Sequence, residues 1–115
     1  MRLTSDLWVS AYLRRRNSAG KPSVLVRRGA KEAGAIFVRV DRLDGTHDLY
    51  EPASQLSYSE DNSRQGDRLF RRCLEAVSTF DIMDRLEKEA KFDSDFWVVE
   101  TECADAGHDL MLADD

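Results

Sequence analysis

Glu32-Ala-Gly-Ala-Ile-Phe-Val-Arg-Val-Asp-Arg-Leu-Asp-Gly-Thr-His-Asp-Leu-Tyr-Glu-Pro52 is the stretch that decides the architecture. Two alternating runs flank Asp44-Gly45, a dipeptide that readily takes the positive φ values of a tight, right-twisted hairpin. In the first run Ile36, Val38 and Val40 fall on one face and Phe37, Arg39 and Asp41 on the other, because successive strand side chains point to opposite sides. Strands are therefore expected over 35–42 and 46–51, the second stopped by Pro52.

Upstream, Ser23-Val-Leu-Val-Arg-Arg28 reads as a short strand ending at Gly29. Before it, Thr4-Ser5-Asp6 offers an N-cap for a helix over 7–16, with Trp8, Ala11, Tyr12 and Arg15 as its stripe and Leu7, Val9 and Leu13 widening it; a strand of similar extent is the competing reading, since Trp, Val and Tyr also favour sheet. Asn17-Ser-Ala-Gly20 and Pro22 stop that helix. Downstream, 54–66 is polar and reads as a surface loop, and 67–75 alternates well enough for a strand, with a helix as the alternative. Ser78 with Asp81 three positions on resembles a capping box. It opens a helix running to about Lys91 through Ile82, Met83, Leu86 and Ala90. The last strand, 96–102, is apolar on both faces for its first four residues, which suits a central position.

The expected fold is α+β: a mainly antiparallel sheet of four to five strands with two helices, in the order α-β-β-β-β-α-β. Residues 1–103 make the single domain and 104–115 an acidic, frayed tail. The doubly apolar last strand needs cover on both faces. Either the helices divide between the two faces, or Trp97, Val99 and their neighbours lie under a second copy of the chain; the reading leans slightly to a homodimer.

At 115 residues with 42% apolar content, the chain can bury roughly two-thirds of its unfolded surface in one core. No apolar run approaches the length of a membrane span, and Met1-Arg-Leu-Thr-Ser-Asp-Leu-Trp8 lacks the greasy segment of a signal peptide. A cytoplasmic protein with no membrane partner is expected. Cys73 and Cys103, thirty positions apart and without Cys-x-x-Cys, read as free thiols. The net charge of −5 is uneven: residues 1–50 carry ten Lys/Arg against five Asp/Glu, residues 51–115 seven against seventeen. Such halves can neutralise one another on folding, or mark a nucleic-acid face.

The arginine groups (14–16, 27–28, 71–72, with Arg39 and Arg42) invite the nucleic-acid reading. However, neighbours on a helix or strand point apart, so one member of each pair faces away from its twin. Glu100 and Glu102 share a strand face, and cross-strand pairing with Arg39 or Arg71 accounts for them better than a cation does. His47 flanks a turn and His108 lies in the acidic tail, neither at ligand spacing from a cysteine, so no metal or cofactor is expected. Gly29 and Gly34 do not form a phosphate loop. No catalytic residue is assigned.

The chain resembles a small bacterial, alphaproteobacterial-type family, domain of unknown function 1491. The resemblance rests on Leu7-Trp-Val-Ser-Ala-Tyr-Leu-Arg-Arg15, Arg27-Arg-Gly29 leading into Glu32-Ala-Gly-Ala-Ile-Phe-Val38, and Leu43-Asp-Gly45 with Leu49-Tyr-Glu-Pro52. Farther on it rests on Arg85-Leu-Glu-Lys-Glu-Ala-Lys-Phe-Asp93 and Asp95-Phe-Trp-Val-Val-Glu100. It implies a short, soluble, stand-alone bacterial chain and carries over no activity. It does point to where a binding site would lie: Arg27, Arg28, Glu32, Asp93, Asp95 and Glu100.

The function expected first is a non-enzymatic interaction module, working through an exposed sheet face or as a homodimer. Nucleic-acid binding by the arginine-rich half comes second. Third is a small enzyme in which Glu100, Asp93 or Asp95 meets Arg27 or Arg28 in a pocket within reach of Cys73 or His47.

Overall fold

The sheet grows from the hairpin. The structure is a computed structural model describing residues 3–53, 68–105 and 107–113. Its elements are α1 (Ser5–Ser18), β1 (Ser23–Arg27), β2 (Ile36–Asp41), β3 (His47–Pro52), β4 (Leu69–Val77), α2 (Thr79–Ala90), β5 (Trp97–Glu102) and β6 (Met111–Leu112). β2 and β3 pair antiparallel up to Asp41 opposite His47, and the Arg42 N–H donates to the Thr46 carbonyl at 3.1 Å. The turn is wider than a two-residue loop. Its positive φ values belong to Leu43 (65°) and Gly45 (90°), while the Asp44 carboxylate clasps the turn by accepting from the Thr46 N–H (2.9 Å) and hydroxyl (2.6 Å).

The strand order is β1-β5-β2-β3-β4-β6. Three pairings are antiparallel, but β2–β5 and β4–β6 are parallel. The fold is the expected α+β arrangement of two helices on a mainly antiparallel sheet, with six strands instead of four to five and with two parallel pairings. Parallel neighbours need a crossover connection. Here α2 carries the chain from β4 over β3 and β2 to β5.

β5 lies between β1 and β2, the interior position its apolar run implied. The two helices take opposite faces. Trp97 and Val99 pack with Val9 and Tyr12 of α1, and with Ile36, Val38, Val40 and Tyr50. Phe96 and Val98 pack with Ile82 of α2, Phe37 and Leu49. Cover for Trp97 thus comes from α1 and does not require a second copy.

α1 buries Ser5, Val9, Tyr12 and Arg16, so Val9 and Tyr12 of the expected stripe face inward, while Ala11 and Arg15 are exposed. The reason lies in what Arg16 reaches. Its Nε donates to Thr101 Oγ1 (2.9 Å), Nη1 to the Gly107 carbonyl (2.5 Å) and Nη2 to the Glu102 carbonyl (3.2 Å). Thr4 occupies the N-cap position without a capping side-chain bond. The orphan N–H groups of Ser5 and Asp6 donate instead to the carbonyls of Glu32 and Lys31, each at 3.0 Å. In α2 the expected cap forms, with the Asp81 N–H donating to Ser78 Oγ at 3.2 Å.

The frayed tail expected from 104 does not describe residues 107–113. His108 and Leu110 are buried, Met111 and Leu112 pair with Leu69 and Phe70, and the Tyr12 hydroxyl donates to the His108 carbonyl at 2.7 Å. The expected 54–66 loop lies outside the described residues. Among the described residues no helix is long and apolar enough to cross a membrane.

Candidate interaction groove

α2 is amphipathic, and its two flanks are chemically different. On the flank over β3 and β4, Arg85 bonds Glu51 (3.2 Å) and Glu89 (3.0 Å), and Arg71 also pairs with Glu51. Cys73 lies in this network, donating to the Leu49 carbonyl at 3.4 Å. Burial, reinforced by the Glu51 carboxylate, pushes its thiol up to about 11. That holds it as a protonated thiol, the opposite of an activated nucleophile.

The other flank is apolar. Met83, Leu86 and Ala90 face Val26 of β1 across a groove of about 390 Å³ floored by Phe96 and Val98. Met83 is 50% exposed and Val26 54%; beyond them Val24 is 57% and Phe80 76% exposed. Val24 pairs with Glu100, so it stands on the same sheet face as the groove. Scattered apolar side chains on a surface are ordinary; what sets this flank apart is that the exposed Val26 and Met83 line one groove.

The rims are charged. At one end the Arg27 guanidinium lies 4.2 Å above the Phe96 ring and donates to the Phe96 (3.2 Å) and Ser94 (2.7 Å) carbonyls. At the other, Arg39 bonds the Thr79 hydroxyl and approaches Glu100 at 3.3 Å. The latter is a charge contact whose angle misses a hydrogen bond. Glu87 stands on the α2 wall.

Of the six residues singled out from the sequence, four lie on two chain segments, 27–30 and 93–96, that run side by side at one corner, with the Arg27 and Arg28 side chains on opposite faces of the sheet. Arg27 closes the groove, and Arg28 lies 5.3 Å over the Trp97 ring. The Asp93 carboxylate accepts from the Asp95 N–H at 2.9 Å, and the Asp95 carbonyl accepts from the Ala30 N–H at 2.9 Å. Glu32 contributes its carbonyl to α1 and leaves its side chain exposed. Glu100 stands apart, with Arg39.

Gly29 and Gly34 make the corner possible. A Cβ on Gly29 would sit 2.6 Å from the Phe96 carbonyl carbon, and one on Gly34 2.5 Å from the Asp95 oxygen. The sequence reading missed the groove because its walls are far apart in the chain. The exposed spacing of Phe80, Met83 and Glu87 on one helical flank was the available signal.

Several arginines are already engaged by carboxylates: Arg16 with Asp109, Arg39 with Glu100, Arg42 with Asp48, Arg71 with Glu51 and Arg72 with Glu75. Two of these pairs join the basic first half to the acidic second half. Both cysteines are free, and among the described residues no group of three His, Cys, Asp or Glu could hold a metal ion.

A family model described as "Protein of unknown function (DUF1491)" matches residues 3–111. Among solved structures, the chain is similar to the solution structure of protein Atu0922 from A. tumefaciens, with 42% identity, a TM-score of 0.84 and coverage of 100% of this chain and 98% of that one. It is also similar to a DUF1491 family protein from Caulobacter crescentus CB15. The crystal structure gives 30% identity, TM-score 0.75 and coverage of 99% and 100%; the NMR structure gives 32%, 0.74, 98% and 96%. No curated protein matches the chain.

Proposed function

We propose that this chain, which belongs to the DUF1491 family, is a small interaction module whose contact surface is the groove between β1 and α2. One observation carries the reading. Among the described residues, the sheet face under α2 is covered on its β3–β4 side by a bonded ionic network and left apolar and open on its β1–β5 side. Docking of apolar protein surface there removes Val24, Val26, Met83 and Phe80 from water, at roughly 25 cal/mol per Å² buried. The engagement of Arg16, Arg39, Arg42, Arg71 and Arg72 with carboxylates leaves less free positive charge for nucleic acid.

The test is a photo-crosslinking amino acid placed at position 83 in cells producing the chain, with position 88 as the exposed control on the charged side of α2. Protein adducts at 83 and not at 88 are expected. Equal or absent adducts at both positions would refute the reading.

A further inference from the structure

We infer that the groove is filled by the same groove of a second copy of this chain, about a two-fold axis that sets each α2 against the partner's β1. This rests on the interaction reading above and names its partner. A two-fold interface brings one patch against itself, so each wall must match the other wall of the same molecule. Here they match. Both are apolar: Phe80 and Met83 on the helix, Val24 and Val26 on the strand.

They are also opposite in charge. Glu87 lies one helical turn beyond Met83, and Arg27 follows Val26. The two-fold therefore repeats a carboxylate–guanidinium approach at both ends of the interface. Complementary charge of this kind sets register more than affinity, which the valine and aromatic surface supplies.

The other obvious way for two copies to meet is worse. Antiparallel pairing of two β1 edges would bring Lys21 of one copy against Arg27 and Arg28 of the next. The edge is moreover blunted: its register with β5 shifts between Leu25 and Arg27. Pro22 stands at its start, and the Asn17 carboxamide already satisfies the N–H (2.9 Å) and carbonyl (3.0 Å) of Ser23. These are the devices by which proteins discourage edge pairing. The association is face to face, with two α2 helices held between two sheets.

The experiment is light scattering after size exclusion, on the wild-type chain and on Val26→Glu and Met83→Lys, from tens to hundreds of micromolar. Both positions are half exposed, so the variants retain the fold, and far-UV circular dichroism checks this. The wild type is expected at twice the 13.1 kDa chain mass. Each variant alone falls to single-chain mass at the low end of the range, because a charge enters an apolar contact that the two-fold repeats, weakening each contact about tenfold and the dimer about a hundredfold. An equimolar mixture of the two variants recovers the dimer, since the introduced opposite charges then face one another while the second contact stays wild type.

A wild type of single-chain mass throughout overturns the inference. So does a Val26→Glu chain that remains dimeric, or a mixture that stays monomeric. A monomeric wild type that still crosslinks another protein from position 83 removes only the second copy. A monomeric wild type that crosslinks nothing removes the interaction reading as well.

Discussion

Arg16→Met keeps the length and apolar stem of a side chain that is 1% exposed, and removes only the guanidinium. Two effects compete in the outcome. One is the loss of the charge pair with Asp109, 3.3 Å away, whose own side chain is 47% exposed. A pair with one partner that wet is worth less than about 1 kcal/mol. The other is the loss of charged donors by Thr101 Oγ1 and the Gly107 and Glu102 carbonyls. Each such bond contributes about 1 kcal/mol or somewhat more, while Thr101 Oγ1 keeps its bond with Ser23 Oγ at 2.6 Å. Release of the guanidinium's own desolvation cost offsets part of this.

The expected destabilisation is about 3 kcal/mol, dominated by the three lost charge-assisted bonds, and at this chain length it lowers Tm by about 12 °C. Asp109→Asn should cost less than about 1 kcal/mol. Urea unfolding followed by tryptophan fluorescence measures both variants. Hydrogen exchange should show amides of 107–112 opening more readily in Arg16→Met. A cost within about 1 kcal/mol of wild type, or an Asp109→Asn variant as damaged as Arg16→Met, would refute the argument that this arginine clamps the C-terminal segment to α1.

Four further outcomes follow from local geometry. Gly34→Ala should destabilise by about 2 kcal/mol or more, because its Cβ would meet the Asp95 carbonyl at 2.5 Å. Gly45→Ala, with open space around it but φ of 90°, should cost about 1 kcal/mol, and equal losses in thermal unfolding would contradict the distinction. Cys73, with its thiol raised from 9.0 to about 11, should react with iodoacetamide at pH 8 about a hundredfold more slowly than a free cysteine, as read by mass spectrometry; a normal rate contradicts its burial. Burial, and then the nearby Arg16, hold His108 below its usual 6.5, and its Nδ1 accepts from the Leu110 N–H at 3.0 Å. The unfolded chain therefore binds the extra proton more readily, so stability is lost as pH falls from 6.5 through the depressed folded value. His108→Gln should flatten the Tm slope between pH 7 and 5.5, and an unchanged slope would remove His108 as its source.

The elements that could be read from sequence are those whose cause is local. Alternation at 36–41, the Ser78 cap and the doubly apolar start of β5 each depend on residues within one or two turns of each other. What escaped depends on partners far along the chain. The parallel register of Ile36 with Trp97 leaves no local trace, so that pairing was not expected within a sheet that is otherwise mainly antiparallel.

Arg16 looked like one of three solvated arginines because its acceptors lie 85 to 91 residues away. A trace did exist: Ser5, Val9, Tyr12 and Arg16 continue a single helical stripe, which Trp8 and Ala11 drew attention away from. The same holds at the candidate site. Arg27, Arg28, Asp93 and Asp95 come together through the 29–35 loop and the approach to β5, whereas Met83 and Val26 meet only because α2 crosses the sheet.

That crossing explains why an open apolar surface falls where it does. Six strands set about 4.8 Å apart make a face about 24 Å wide, and a helix with its side chains covers only about 10 Å of it. Each face therefore needs more than its one helix. On the α1 face the shortfall is met by the segment holding His108 and Leu110, fastened through Arg16 and Tyr12. On the α2 face the β3–β4 side is covered by Arg71, Glu51 and Arg85, whose ionic heads tolerate water. The β1–β5 side, with Val24 and Val26 beside Met83, has no comparable cover among the described residues. A sheet edge that merely ended there would favour polar side chains at 24 and 26, since both face outward. Valines at those positions cost solubility unless another apolar surface closes over them, and that requirement makes the groove the place to look for a partner.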